Sequence, residues 1–209
     1  LTRRGVVAHA QVLSQLGRND DAIALLESGF GQSLDPRLSR LRTQLENGET
    51  VPFDLVKTPR EGAAEVFYSV AQALSGEASE AYTLLYARAA QHLDPEHIDA
   101  ILLAAGLLEQ MGRYELATRT YNDVPRDDPS FHLAEIGRAE ALRLSGSEEA
   151  AVEVLERLAG THPDQALVHT TLGDTLRRME RFDEAAIAYD RAIALFEGDQ
   201  ESLWVVYFA

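Results

Sequence analysis

Apolar residues recur every three or four positions along most of the chain, which is the spacing of one buried face on an α-helix. Residues 166–199 show the pattern most clearly. Their first half carries one stripe, made of His169, Leu172, Gly173 and Leu176. Their second half carries another, made of Ala185, Tyr189 and Ala192. Two amphipathic helices joined by a short turn are predicted, and the small residues Gly173 and Ala185 allow them to pack closely as an antiparallel pair.

The same order of small, large and helix-breaking residues repeats upstream at intervals of 34 residues. The small position is held by Gly173, Ala139 and Ala105, and the large position by Tyr189, Leu155 and Tyr121. Turn glycines and opening prolines keep the same interval, at Gly112 and Gly146 and at Pro95, Pro129 and Pro163. Because packing residues and breaking residues recur in one phase, the chain is predicted to be an array of helix pairs.

This pattern resembles the tetratricopeptide repeat, a 34-residue unit with leucine, small and aromatic residues at these positions and a final proline. The resemblance implies an all-α fold, a right-handed α-α superhelix built from antiparallel helix pairs. It covers four consecutive units, which are residues 64–97, 98–131, 132–165 and 166–199.

The N-terminal part departs from this regularity. Residues 1–47 are predicted to hold one weaker repeat and a truncated one, because Asn47 and Gly48 end the helix that carries Leu38, Leu41 and Leu45. Pro52 and Pro59 oppose a second helix there, so a long connecting loop is expected over residues 48–63. Its stretch 51–56 is apolar enough to lie against the helices. Residues 200–209 are expected to begin a further helix.

Charge and composition exclude several classes of function. With 34 acidic and 19 basic residues the net charge is −15, which repels nucleic-acid phosphates. No apolar run reaches the roughly 18 residues of a membrane-spanning helix, so no membrane insertion is expected within this sequence. Leu1 at the start and an uncapped apolar end indicate a piece of a longer protein. Bacterial cytoplasm and periplasm fit equally, so the compartment is not assigned.

No catalytic, cofactor-binding or metal-binding residues are predicted. Cysteine is absent, and His92 and His97 lack the i, i+4 spacing of a helical zinc motif. Acidic pairs such as Asp183-Glu184 follow turns, where they favour the positive end of a helix dipole. Arg177, Arg178 and Arg181 form a basic cluster that suits a solvated face or an acidic partner. The protein is therefore expected to be no enzyme and to need no cofactor.

The resemblance further implies a binding surface, because the second, fifth, ninth and twelfth residues of each unit face a concave groove in this family. Carried onto this chain, the candidate groove residues are Tyr68, Gln72, Leu102, Glu109, Ile136, Glu140, Arg143, Thr170, Asp174 and Arg177. Such a groove suits a protein or peptide with aliphatic side chains and charges of both signs. Alternatively, its apolar members are ordinary packing between neighbouring helices. The lysine and asparagine of the family's carboxylate clamp are missing at these positions.

A non-enzymatic protein-interaction scaffold that binds a peptide or helix in its groove is the predicted function. The alternative is an assembly segment of a larger bacterial envelope-associated protein, which forms homo-oligomers through its terminal repeats. The uncapped apolar stretch 203–209 favours that alternative, since an incomplete terminal repeat exposes a core-like edge. A third possibility is the regulatory arm of an enzyme whose catalytic domain lies outside these residues.

Overall fold

The computed structural model describes residues 3–31, 34 and 36–195, and these residues form α-helices and no strand. In chain order the helices are α1 (Arg3–Gln15), α2 (Asn19–Phe30), α3 (Pro36–Glu46), α4 (Pro59–Leu74), α5 (Glu80–Leu93), α6 (Ile98–Gln110), α7 (Tyr114–Tyr121), α8 (Phe131–Leu144), α9 (Glu148–Thr161), α10 (Ala166–Arg178) and α11 (Phe182–Leu195). The predicted all-α class is confirmed. The helix predicted from residue 200, and the stretch 203–209 on which the oligomer alternative depends, lie outside the described residues.

Neighbouring helices along the chain pack against each other in pairs. The pairs are α1 with α2, α4 with α5, α6 with α7, α8 with α9, and α10 with α11. The turns inside four of these pairs contain a glycine in the left-handed region, among them Gly112 with φ 69° and Gly146 with φ 86°. Glu180 takes the same conformation, with φ 60°, in the last pair. Further contacts of α5 with α6, α7 with α8, and α9 with α10 stack the last four pairs into one array.

Two glycines allow a tyrosine ring of a neighbouring helix to pack directly against the helix backbone. A Cβ atom on Gly173 of α10 would lie 2.6 Å from Cε1 of Tyr189 on α11. A Cβ atom on Gly137 of α8 would lie 2.4 Å from Cζ of Tyr121 on α7. Both distances are far below van der Waals contact, so each tyrosine ring occupies the space that any other residue type would fill.

The N-terminal helices α1, α2 and α3 share a core of their own. Its buried members are Val6, Ala10, Leu13, Ala22, Leu26, Leu38, Leu41, Leu45 and Val51. Val51 belongs to the non-helical segment 47–58, which follows α3 and returns to this core. Helix α3 therefore has no second helix after it, and the apolar segment packs in its place.

Helix α4 begins at Pro59, inside the stretch 48–63 that is predicted as a loop. The Thr58 side chain accepts a hydrogen bond from the Glu61 N–H and so caps the helix. Proline is favourable in the first turn of a helix, where its missing N–H has no intrahelical acceptor. Pro59 thus starts a helix here, which corrects its interpretation as a breaker. The predicted division of the chain into residues 1–47, 48–63, 64–199 and 200–209 otherwise stays a prediction.

Candidate functional site

The predicted groove residues lie on α4, α6, α8 and α10, which are the first helices of four successive pairs. Direct contacts join α6 to α8 and α8 to α10, so these three helices lie side by side. Leu102 and Ile136 are half-buried, and each packs against a core cluster. The hydroxyl of Thr170 donates to the carbonyl of Ala166 at 3.0 Å. The fifth residues of the units that begin with α6, α8 and α10 are therefore packed on one side and partly exposed on the other.

Charged groove residues on α6 and α8 interact with one another. Arg143 donates two hydrogen bonds to Glu140, at 2.8 and 2.5 Å. The hydroxyl of Tyr121 donates to Glu109 at 3.4 Å. Burial, and then the neighbouring Glu140 carboxylate, raise the pKa of Glu109. The hydrogen bonds from Arg143 lower the pKa of Glu140. The two helices thus share one electrostatic environment at this point.

Helix α10 continues this line of charges through Tyr189. The hydroxyl of Tyr189 donates to Asp174 at 2.7 Å, and Nε of Arg177 donates to the same hydroxyl oxygen at 3.3 Å. Because the Tyr189 ring packs against Gly173, a core residue fixes both groove side chains. The structure thus arranges five of the predicted residues across three helices, and we call them the charged row: Glu109, Glu140, Arg143, Asp174 and Arg177.

Two predicted residues on α4 lie apart from the charged row. Gln72 is exposed, whereas Tyr68 is buried and belongs to a polar network that the candidate set does not contain. In this network Arg4 of α1 donates to Oε2 of Glu65 at 2.7 Å and to Oδ2 of Asp99 at 2.5 Å. The guanidinium also lies over the Tyr68 ring, 5.7 Å from its centroid. One arginine therefore connects α1 to both α4 and α6.

His97 completes the network from the N-terminus of α6. Its Nδ1 accepts a hydrogen bond from the Ala100 N–H at 3.2 Å, so the neutral ring carries its proton on Nε2. That Nε2 lies 3.3 Å from Oε1 of Glu65. Burial raises the pKa of Tyr68 to about 12, so its hydroxyl stays neutral. His97 thus acts as a helix cap and as a neighbour of Glu65.

Both carboxylates of the network are held in their charged form. Burial opposes ionisation of Asp99, yet the guanidinium groups of Arg3 and Arg4 outweigh it and lower the Asp99 pKa. Burial likewise opposes ionisation of Glu65, and the nearby His97 ring and the hydrogen bonds from Arg4 lower its pKa below the ordinary value. The network therefore stabilises the fold where these groups are ionised.

This stabilisation should vanish in acid. A lowered native pKa contributes fully above the unfolded value, which is 3.8 for Asp99, and the contribution is lost as pH falls through the native value. We expect wild type to melt above Asp99→Asn at pH 7, with a difference that shrinks below about pH 4, because Asp99 takes up its proton first in the unfolded chain and only at lower pH in the folded one. Thermal melts of both chains from about pH 7 to 3 measure this difference. An undiminished difference in acid would contradict the assignment.

A segment of the chain itself packs on α1 at positions that the repeat register assigns to the predicted groove. The Val51 N–H donates to Oγ of Ser14 at 2.9 Å, and this Oγ lies 3.4 Å from the Glu49 carbonyl oxygen that accepts from it. Further along, Nε2 of Gln11 donates to Oδ1 of Asp54 at 2.6 Å, and the Asp54 N–H donates back to Oε1 of Gln11 at 3.4 Å. Residues 49–54, which we call the strap, therefore occupy this part of the face.

The residues that bind the strap and those of the arginine network could have been found by the same count of repeat positions that gave the candidate groove residues. Counted from Arg3, Arg4 is a second-position residue, as are Glu65 and Asp99. Gln11 and Ser14 are then the ninth and twelfth residues of the first unit. Register alone would have placed these side chains on the concave face, although it says nothing about their partners.

Three of the remaining histidines, and Arg181 of the basic cluster, make contacts within the protein. Nε2 of His169 lies 3.0 Å from the Pro163 carbonyl oxygen, and the rings of His132 and His162 lie 5.9 Å apart. Arg181 pairs with Glu184 at 2.6 Å and with Glu149 at 3.3 Å. These pairs favour the solvated-face interpretation for Arg181.

Two family models of the tetratricopeptide repeat match the sequence, one over residues 61–142 and one over residues 137–198. Together they extend across all four predicted units except the last residue. The chain is a tetratricopeptide-repeat protein. Among curated proteins, none matches the sequence. None of the described helices is both long enough and apolar enough to span a membrane.

Solved structures of two bacterial proteins show the same fold. MamA from residue 41 to its end, of Desulfovibrio magneticus RS-1, aligns with a TM-score of 0.55 at 16% identity and covers 92% of this chain and 93% of its own. PilF of Pseudomonas aeruginosa aligns with a TM-score of 0.57 at 16% identity, over 96% of this chain and 79% of its own. The predicted class, a superhelix of tetratricopeptide repeats, is confirmed. Such repeats typically serve as non-enzymatic scaffolds, so the partners of this protein are proteins.

Proposed function

We propose that the protein binds a peptide segment or a helix of its partner along the concave face of α6, α8 and α10. The observation that carries this proposal is the charged row, which runs across all three helices beside the half-buried Leu102 and Ile136. A ligand with aliphatic side chains and charges of both signs would match it, because complementary charges fix the register of a bound chain.

Preorganisation supports the same proposal. Tyr121 holds Glu109, Tyr189 holds Asp174 and Arg177, and Arg143 holds Glu140. Side chains that are already fixed lose little conformational entropy on binding, typically about 0.5–1.5 kcal/mol less per side chain than mobile ones. The side chains of the charged row therefore already have fixed conformations before a ligand binds.

The strap supplies an internal example of a non-helical segment bound at the corresponding register positions of α1. Its backbone N–H groups at Val51 and Asp54 donate to Ser14 and Gln11. Ser14 and Gln11 occupy the twelfth and ninth positions of the first unit, the positions that Arg143 and Glu140 hold on α8. An extended peptide on α8 and α10 would therefore lie as the strap lies on α1.

Charge reversal in the row tests the proposal. We expect the double variant Arg143→Glu, Arg177→Glu to capture its protein partner at least about tenfold less than wild type, because like charges then face the ligand's acidic groups. The immobilised full chain, a lysate of the encoding organism and quantitative mass spectrometry provide the measurement.

A matched control is Arg157→Glu on α9, where the arginine is exposed and pairs with Glu153 at 3.6 Å. It should capture the partner as wild type does. Equal capture by all three chains would contradict groove binding, as would an equal loss in the control.

A further inference from the structure

Helix α4 has no preceding helix pair packed against it, although the corresponding face of each later first helix is covered by one. The third residue of each unit faces the preceding helix pair, and Ala100, Ala134 and Val168 are each 0% exposed there. Val66 holds this position on α4 and is 63% exposed. The next position repeats the contrast, since Phe67 is 37% exposed and Ile101 is 0% exposed. The face of α4 is therefore built for stacking and is uncovered.

The irregular N-terminal part explains why this face is open. In the later units a second helix precedes each first helix, as α5 precedes α6 and α7 precedes α8. Before α4 the chain forms the segment 47–58 instead, and its strap returns to α1. Helix α1 meets α4 through Arg4 and Glu65 on the concave side. Within the part of the chain that the structure describes, no second helix covers Val66 and Phe67.

The open face extends from α4 onto α5. The rings of Phe67 and Tyr86 lie 6.2 Å apart, and those of Tyr86 and Tyr82 lie 5.3 Å apart, edge to face. Leu85, on the same side of α5, is exposed. We call this surface the α4–α5 face; its residues are Val66, Phe67, Tyr82, Leu85 and Tyr86. It carries no charged side chain, so an apolar and uncharged partner surface fits it.

The array itself shows which chemistry covers such a face. On α6, the covering helix is α5, which places Leu84 and Ala87 in one cluster with Ala104 and Leu107. It also places Ala90 in a cluster with Ala100. The helix that covers α6 thus presents a leucine and two alanines at i, i+3 and i+6. The small alanine side chains allow the two helices to pack closely.

We propose that the α4–α5 face is a docking site for one α-helix of a partner protein, which presents a leucine and alanine stripe spaced like Leu84, Ala87 and Ala90. The partner helix continues the stacking interface that recurs between the later helix pairs. This site is separate from the concave face, so it provides a second and independent point of recognition.

The probe for this site is a helix-stapled, fluorescein-labelled peptide with the sequence of residues 79–94, because that segment covers the matched face of α6. Fluorescence anisotropy with the full chain should show saturable binding. Val66→Glu should weaken it at least about tenfold, since it places a charge in the uncharged contact. Ile187→Glu on α11, where the isoleucine is similarly exposed at 58%, should bind as wild type does.

A second peptide, with glutamate in place of its Leu84 and Ala87, should not bind. Absence of wild-type binding, or equal binding by Val66→Glu, would overturn the proposal. Sedimentation velocity tests whether a second copy takes the site: a monomeric wild type supports a partner helix, and a dimer that Val66→Glu dissociates would overturn it.

Discussion

Gly173→Leu is expected to lower the free energy of unfolding by about 2 kcal/mol or more. Its Cβ would lie 2.6 Å from Cε1 and 2.7 Å from Cδ1 of Tyr189, and the leucine adds three further carbons to that space. The ring cannot turn away without breaking the hydrogen bond from its hydroxyl to Asp174. Removing a mid-helix glycine recovers only about 1 kcal/mol of helix propensity, so overpacking dominates.

Urea denaturation of the full chain measures this effect, and Arg178→Ala provides the control. Arg178 is an exposed residue of the same helix, so its removal should change stability by no more than about 0.5 kcal/mol. Denaturation midpoints that coincide for the two variants would contradict the helix packing described here. Because Tyr189 also fixes Arg177, the leucine variant should disturb the charged row as well.

Arg4→Ala should destabilise the junction between α1 and the later array by about 2 kcal/mol or more. The change leaves Glu65 and Asp99 without the guanidinium that bonds to both, and all three side chains are largely shielded from water. Arg3 still faces Asp99, so the loss falls mainly on Glu65, and a largely buried carboxylate that loses its partner costs more than the ion pair itself contributes. The contact of Arg4 with the Tyr68 ring is lost too.

The matched control for this prediction is Arg18→Ala. Arg18 also pairs with a carboxylate, Asp21 at 2.6 Å, but both side chains are more than half exposed. Exposed pairs contribute about 0–1 kcal/mol, so this variant should melt close to wild type. Hydrogen exchange should further show lost protection in α1 for Arg4→Ala alone. Equal behaviour of the two variants would argue against a buried polar junction.

Helices α6 to α11 follow closely from the sequence because their packing is local and periodic. The interval of 34 residues places small residues such as Gly173 opposite large ones such as Tyr189, and both lie within one helix pair. The same register places the charged row, since residues at one position of successive units meet on neighbouring helices. Its hydrogen-bond partners Tyr121 and Tyr189 were not foreseen, because their hydroxyls reach across from the second helix.

The N-terminal part could not be predicted to the same extent because its contacts join distant segments. Gln11 meets Asp54, and Arg4 meets Asp99, across separations that no periodic rule specifies. Pro59 illustrates a local ambiguity, since one proline can end a helix or begin one, and the capping Thr58 decides between them. The uncovered face of α4 follows from the same irregularity, because Val66 has no preceding second helix.

Site-specific photocrosslinking tests the concave face as the protein-binding surface most directly. The full chain would carry p-benzoylphenylalanine in place of Leu102, on the groove side of α6, or in place of Leu116, an exposed residue of α7. After irradiation in a lysate of the encoding organism, mass spectrometry identifies the adducts. Groove binding predicts one abundant protein adduct from position 102 that position 116 does not give. The same adduct from both positions, or none from position 102, would contradict it.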